Sequence, residues 1–296
     1  MTQHFVAPPQ WEWYIVWYFF LGGIAGGTYA LGTLLRLVGD RRDESVARAA
    51  FLISFPTMII CPILLTLDLG RPLRFWHMLI DARTFAPSLK YWSPMSVGAW
   101  VLLIFGVFAT ISFIEALALD GKFRHPLAQG IAGALSGGFG RIFMIVGTFF
   151  GLFLAGYTGV LLSVSNQPIW SDTWALGGLF LASGLSVAAA AITLASRLRS
   201  DVGASEAKLF RADRIFIVLE LVLLAVLFVT LGAMGASLLG GRWIILWILV
   251  LAGTVVPLVL GFGASGGHHR GAVLASCLVL LGGLALRIAV VFAPQM

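Results

Sequence analysis

Apolar residues run along this chain in blocks of about 20 to 26, separated by short polar breaks. The blocks fall at residues 13–38, 47–69, 94–118, 140–165, 173–196, 214–238, 243–262 and 271–292. A helix needs about 20 apolar residues to cross the hydrocarbon layer, so the pattern predicts eight crossings. The runs are continuous rather than alternating, which excludes the short two-faced strands of an outer-membrane barrel. The expected fold is all-α: a multi-pass membrane protein of about eight transmembrane helices in packed bundles, forming a single integral-membrane domain over 1–296. The first block has no Lys or Arg before it, unlike a cleaved signal peptide with its basic front end, and is expected to remain in the mature protein.

Composition removes the alternatives. Of the 296 residues, 59% are hydrophobic and 11% charged, about half the charge of a soluble domain. The net charge of +6 does not point to nucleic acid, because its carriers sort by side of the membrane. Arg36, Arg41, Arg42, Arg48, Lys122, Arg124, Arg141, Arg197, Arg199, Lys208, Arg211, Arg214 and Arg270 lie around the breaks after odd-numbered blocks, and Arg71, Arg74, Arg83, Lys90 and Arg242 lie on the other side. The excess of Lys and Arg marks the cytoplasmic loops, so both termini are expected in the periplasm, with the chain in a bacterial inner membrane. All ten tryptophans fall at or near the periplasmic face. An aromatic belt accounts for them; a docking face for an extrinsic partner, centred on residues 70 to 93, is the competing reading.

Metal chemistry is expected elsewhere. Cys61 and Cys277 stand singly in apolar runs, so this chain is expected to bind no iron–sulfur cluster and no metal. His4, His77, His125, His268 and His269 lie in breaks or near block ends, which leaves no facing pair at membrane depth for a haem.

Polar groups at membrane depth are costly and point to function by default. Asp68 closes the second block in LDLGRPLRFWHML, where Gly70 and Pro72 predict that the helix breaks. It reads either as an ion pair with Arg71 at i,i+3 or as a carboxylate at the mouth of a pocket, able to take a proton from a hydroquinone. Tyr157, in AGYTGVLLSVSNQPIW, lies about eight residues, or roughly 12 Å, below the outer end of its block. Its phenol either bonds a neighbouring helix or meets a buried carbonyl such as that of a quinone. Arg287, near the outer end of the last block, has no acidic neighbour in its own helix, and Asp68 is its expected partner. Toward the cytoplasm, Glu115, Arg141 and Glu220 read as an interfacial ion network or as a possible proton path. Gly22, Gly23, Gly26 and Gly27 form small-xxx-small spacings in duplicate, which suit close helix approach or leave a slot for a flat ring.

As a set these motifs resemble one family. YFFLGGIAGGTYALG, LDLGRPLRFWHML, SPMSVGAW, GYTGVLLSVSNQPIW and LRIAVVFA, in this order from first block to last, resemble the NrfD/PsrC family of integral-membrane subunits. The resemblance implies a membrane subunit of a respiratory-chain oxidoreductase complex that binds menaquinone or ubiquinone near the periplasmic face. Such a subunit exchanges electrons, for example from menaquinol, with an extrinsic ferredoxin-like iron–sulfur subunit, commonly backed by a molybdopterin or other catalytic subunit. It would not itself act on the terminal substrate. Carried over residue by residue, the family's pocket points to Tyr18, Asp68 and Tyr157, with Asp68 and Tyr157 as the reacting pair and Arg287 close by. Arg71, Arg74, Trp76 and His77 would face the iron–sulfur partner. A secondary transporter and a passive membrane anchor are the rival readings, although no internal repeat or paired interrupted helices support a transporter.

Overall fold

A computed structural model describes residues 10–197, 203–263 and 269–295; His4, Arg199 and His268 lie outside them. Ten helices follow in order: α1 (Trp13–Val38), α2 (Glu44–Asp68), α3 (Pro94–Leu119), α4 (Pro126–Leu135), α5 (Gly138–Ser163), α6 (Ala175–Arg197), α7 (Gly203–Leu231), α8 (Gly235–Leu238), α9 (Trp243–Gly263) and α10 (His269–Phe292). Among the described residues there is no strand, only an isolated bridge between Ile80 and Pro87 in the α2–α3 loop. Seven helices are long and apolar enough to cross a membrane. The eighth, α9, has 21 residues and is therefore about 31 Å long at the helical rise, enough to span.

The long helices close into two four-membered rings, α1–α2–α3–α5 and α6–α7–α9–α10, joined chiefly where α1 and α5 pack on α6. Helix α1 is the most enclosed span, 89% of its apolar window being buried against 28% for α2. It can be so because its glycines let backbones touch. A methyl group at Gly26 would overlap the Gly151 carbonyl of α5; one at Gly27 would sit 2.6 Å from Ala188 Cβ, and one at Gly23 3.2 Å from Gly184 Cα, both on α6. Close packing therefore explains three of the four glycines. Gly22 differs, because a methyl there would meet nothing nearer than 3.9 Å.

The first and last described segments meet at one face, as an even number of crossings requires. The Trp11 N–H donates to Gln295 Oε1 (2.8 Å), Gln167 Nε2 donates to the Pro294 carbonyl (2.5 Å), and the buried Trp170 indole donates to the Val290 carbonyl (2.7 Å). At the opposite face the helix ends are tied by charge. Arg36 bridges Glu44 (2.8 Å) and Glu115 (2.7 Å), Arg48 pairs with Asp120 (2.9 Å), and Lys208 of α7 reaches Asp40 (2.7 Å) and the fully buried Asp43 (2.6 Å).

Two elements depart from the expected pattern. Helix α4 occupies part of a break; Pro126 starts it and His125 Nδ1 accepts from the Leu127 N–H at 3.3 Å. Helix α7 begins at Gly203 and ends at Leu231, several residues before the expected limits at both ends. Its polar inner turns pack on protein rather than marking a loop, and Gly232, with φ +51, turns the chain out of the helix.

Candidate functional site

Near the face where Trp11 meets Gln295, α1, α2, α3 and α5 bring together a cluster of aromatic and sulfur-bearing side chains. Tyr18 lies five residues into α1 and is 2% exposed, with Cys61 of α2 and Tyr157 of α5 as its electrostatic neighbours. Gly22, one turn deeper, faces Thr158 Cγ2 (3.9 Å), Tyr18 Cε2 (3.9 Å) and Cys61 Sγ (4.0 Å). The polar groups around it are mostly satisfied locally. The Cys61 thiol donates to the Thr57 carbonyl (3.3 Å), the Thr158 hydroxyl to the Ala155 carbonyl (2.8 Å), and the Tyr157 hydroxyl to the carbonyl of Pro94 at the start of α3 (2.5 Å). The Tyr18 hydroxyl has no hydrogen-bond partner among the described residues.

Asp68 is the last residue of α2, as Gly70 and Pro72 led one to expect. It is half-buried, and among the described residues its carboxylate makes neither a hydrogen bond nor an ion pair. Glu12, at the start of α1, acts on it electrostatically. Seven residues separate it from Cys61, which sets it about 10 Å further out along α2.

The expected pairing of Arg287 with Asp68 is not what forms. Arg287 is fully buried and turned the other way, into the junction of α1, α6 and α10. Its Nε donates to the Phe19 carbonyl (3.2 Å), Nη1 to the Gly283 carbonyl (2.7 Å) and Ser183 Oγ (3.1 Å), and Nη2 to the Phe180 carbonyl (3.4 Å). The rings of Phe180 and Phe20 lie 5.3 and 5.8 Å from the guanidinium. Its charge partner is Glu220 of α7, which shares Ser183. The site on three helices outcompetes the outer position because each of the three guanidinium nitrogens finds an acceptor there. Below Glu220, Ser186 Oγ donates to the buried Asp213 (2.6 Å). Sequence reasoning missed Asp213, Ser183 and Ser186. The signal was present in the spacing, i,i+7 between the carboxylates on α7 and i,i+3 between the serines on α6, each placing both on one face.

Glu115, Arg141 and Glu220 are likewise not one network. Glu115 belongs to Arg36, with Tyr29 and Ser112 bonded at 3.0 Å a turn away; Glu220 belongs to Arg287; and Arg141 is exposed on α5.

In the α2–α3 loop, Arg71 precedes a 3-10 helix, Pro72–Met78, that carries Arg74, Trp76 and His77. The two arginines and His77 are exposed, and Trp76 is half-buried between the rings of His77 (3.9 Å) and Phe85 (6.3 Å). Leu73, Phe85, Tyr91 and Trp92 stand out into solvent. Backbone N–H groups of Arg83 and Thr84 bond Asp81, shape the turn and hold its carboxyl below the usual range. The tryptophans divide between roles: Trp170 and Trp247 are buried and bonded, whereas Trp13, Trp17, Trp92 and Trp174 are exposed.

Fold and site together define a multi-pass helical membrane protein with a pair of buried phenols, Tyr18 and Tyr157, near the face where Trp11 meets Gln295. The model of the family described as "Polysulphide reductase, NrfD" matches residues 2–296, and the chain belongs to that family. It is similar to a polysulfide reductase chain of Wolinella succinogenes, 30% identical over 96% of this protein and 94% of that one, and to the protein NrfD of Escherichia coli, 29% identical over 97% and 95%. A selenate reductase subunit of Mesobacillus selenatarsenatis matches at 24% identity over 40% of this protein and 25% of its own length.

Proposed function

We propose that this chain is the membrane subunit of an inner-membrane oxidoreductase complex and that it binds a quinone or quinol between α1, α2 and α5. The observation that supports this reading is the Tyr18 hydroxyl, which has no hydrogen-bond partner among the described residues and lies close to Gly22, Cys61 and Tyr157. When bound, the quinone couple supplies chemistry involving two electrons and two protons. The chain's own groups supply the rest. Tyr18 and Tyr157 bound the site on its inner side, and Asp68, unpaired further out along α2, takes or returns a proton at its carboxylate. By the positive-inside rule this end of the bundle faces the periplasm. The relatives named as polysulfide and selenate reductase subunits support a partnership with extrinsic redox subunits. The exposed Arg71, Arg74, His77, Leu73 and Phe85 offer a mixed cationic and apolar surface for an iron–sulfur subunit, which receives or delivers electrons one at a time.

Low-temperature electron paramagnetic resonance of the complex purified from its own membranes tests this. Cluster signals that change on quinol addition are expected. A spectrum silent even with dithionite, and no co-purified partner, would overturn the reading in favour of transport. Asp68→Asn is expected to slow quinol turnover at least tenfold with the complex intact, through loss of the proton acceptor. Unchanged turnover in both Asp68→Asn and Tyr157→Phe, with the complex assembled, would overturn the assignment of these residues to the site.

A further inference from the structure

Most cations of the face bearing Asp43 and Lys208 are neutralised within the chain. Arg36 holds Glu44 and Glu115, Arg48 holds Asp120, and Lys208 holds Asp40 and Asp43. Arg41 and Arg42 stand between Asp40 and Asp43, and Arg211 lies close to Asp213 in the sequence. Arg124 and Arg141, which bracket α4, are different. Between Asp120 and Asp172 the sequence holds no acidic residue, and Asp120 is already shared by Arg48 (2.9 Å) and Lys122 (3.7 Å). Both arginines are exposed, and among the described residues their guanidinium groups make no hydrogen bond and no ion pair.

The surroundings of these two charges are apolar. Helix α4, with ten residues, is too short to cross a membrane, and it packs against α3 and α5. Its Ala128 and Leu135 are buried there, whereas Leu127 turns outward, 73% exposed. On α5 the exposed Ile142, Ile145 and Phe149 follow one another at helical spacing, and Arg141 precedes Ile145 by one turn. An unpaired cation thus stands at the cytoplasmic end of an apolar strip that climbs a membrane-spanning helix. A molecule that fits has an anionic head and an apolar tail, in that order along α5.

We propose that the α4 turn and the cytoplasmic end of α5 form a docking site for acidic phospholipid of the cytoplasmic leaflet. Arg124 and Arg141 meet the phosphate charge, and Ile142, Ile145 and Phe149 carry the acyl chains. A basic side chain at the membrane surface favours an acidic lipid about fivefold, and an arginine with no carboxylate of its own keeps all of that attraction for a ligand. Its guanidinium also grips a phosphate with two parallel N–H groups. A soluble acidic protein would satisfy the charges but leave Ile145 and Phe149 uncovered.

The test is native mass spectrometry of the whole complex in detergent, titrated with dioleoyl phosphatidylglycerol or dioleoyl phosphatidylcholine. The wild-type complex is expected to prefer phosphatidylglycerol. Arg124→Gln and Arg141→Gln are each expected to cut that preference about fivefold, and the two together about 25-fold, whereas Arg83→Gln, on the opposite face, leaves it unchanged. Dihexanoyl phosphatidylglycerol is expected to bind much more weakly than the dioleoyl form, because each buried methylene adds to the affinity. Both arginines are exposed, so the variants are expected to assemble normally; if they do not, headgroup and chain length on the wild-type complex decide. Equal binding of the two headgroups, or a preference that survives in the double variant or falls as far in Arg83→Gln, overturns the site. Equal binding of the short and long chains reduces it to an anion site and overturns the lipid assignment.

Discussion

Arg287 shows how much one residue can organise when its surroundings are dry. Four carbonyl or hydroxyl oxygens accept from its guanidinium, and Glu220 balances its charge. Removing one member of such a pair leaves the other buried and uncompensated, at a cost of about 3–5 kcal/mol. Arg287→Met is therefore expected to lower the thermal midpoint sharply in detergent. Adding Glu220→Gln to it should recover part of the loss, giving a coupling of about 1–3 kcal/mol in a double-mutant cycle. Additive losses would show that the two do not act as a pair. If Glu220 also conducts protons, Glu220→Gln alone will slow proton movement in proteoliposomes more than it lowers stability. The residue scale is also where sequence reading was weakest. Arg287 stood out as an intramembrane cation, but its partner lies on a helix whose contact with α10 no spacing in the sequence encodes.

At the scale of the element, α1 separates packing from space. Gly26 and Gly27 carry backbone contacts that a methyl group would break, whereas Gly22 faces side chains at ordinary contact distance. Gly26→Ala is expected to reduce the yield of folded protein severely, because the neighbouring carbonyl belongs to another helix and cannot yield. Gly22→Ala should fold normally, and membrane expression with size-exclusion profiles will distinguish the two. The limits of α1 were legible in the sequence to the residue, since a continuous apolar run bounded by polar residues defines a span. Those of α7 were not, because Lys208 and Asp213 look like loop residues until Asp43 and Ser186 are seen to meet them. Helix α4 escaped notice because its ten residues are too few to announce a period. Tyr157 and Asp68 stood out in the sequence by depth and Tyr18 only through the family resemblance; that Tyr157 bonds the Pro94 carbonyl was not legible, because that carbonyl belongs to the backbone and has no letter of its own.

Across the whole molecule, the two rings are fastened differently at their two faces. Charged side chains fasten the face bearing Asp43 and Lys208, and amide and indole hydrogen bonds fasten the face where Trp11 meets Gln295. Gln295→Ala removes the acceptor of the Trp11 N–H, and amide exchange at Trp11 is expected to quicken about five- to tenfold while the amides around Glu115 keep their protection. Exchange that rises equally at both faces would mean that the fastenings are not independent.

Helix α1 belongs to the first ring and packs on α6 of the second, so neighbours in its sequence face different rings. Tyr18 faces Cys61 and Tyr157, and the carbonyl of Phe19, the next residue, holds Arg287. A fixed positive charge thus stands on the far side of one helix from Tyr18, about 10 Å away by helix diameter. At an effective dielectric of about 20, unit charges at that separation interact by roughly 1.7 kcal/mol. Any negative charge that arises beside Tyr18 is therefore stabilised by that cation only to the extent that protonation of Glu220 leaves it unbalanced. The protonation of a carboxylate in the second ring and the electrostatics around Tyr18 in the first are linked through the thickness of a single helix.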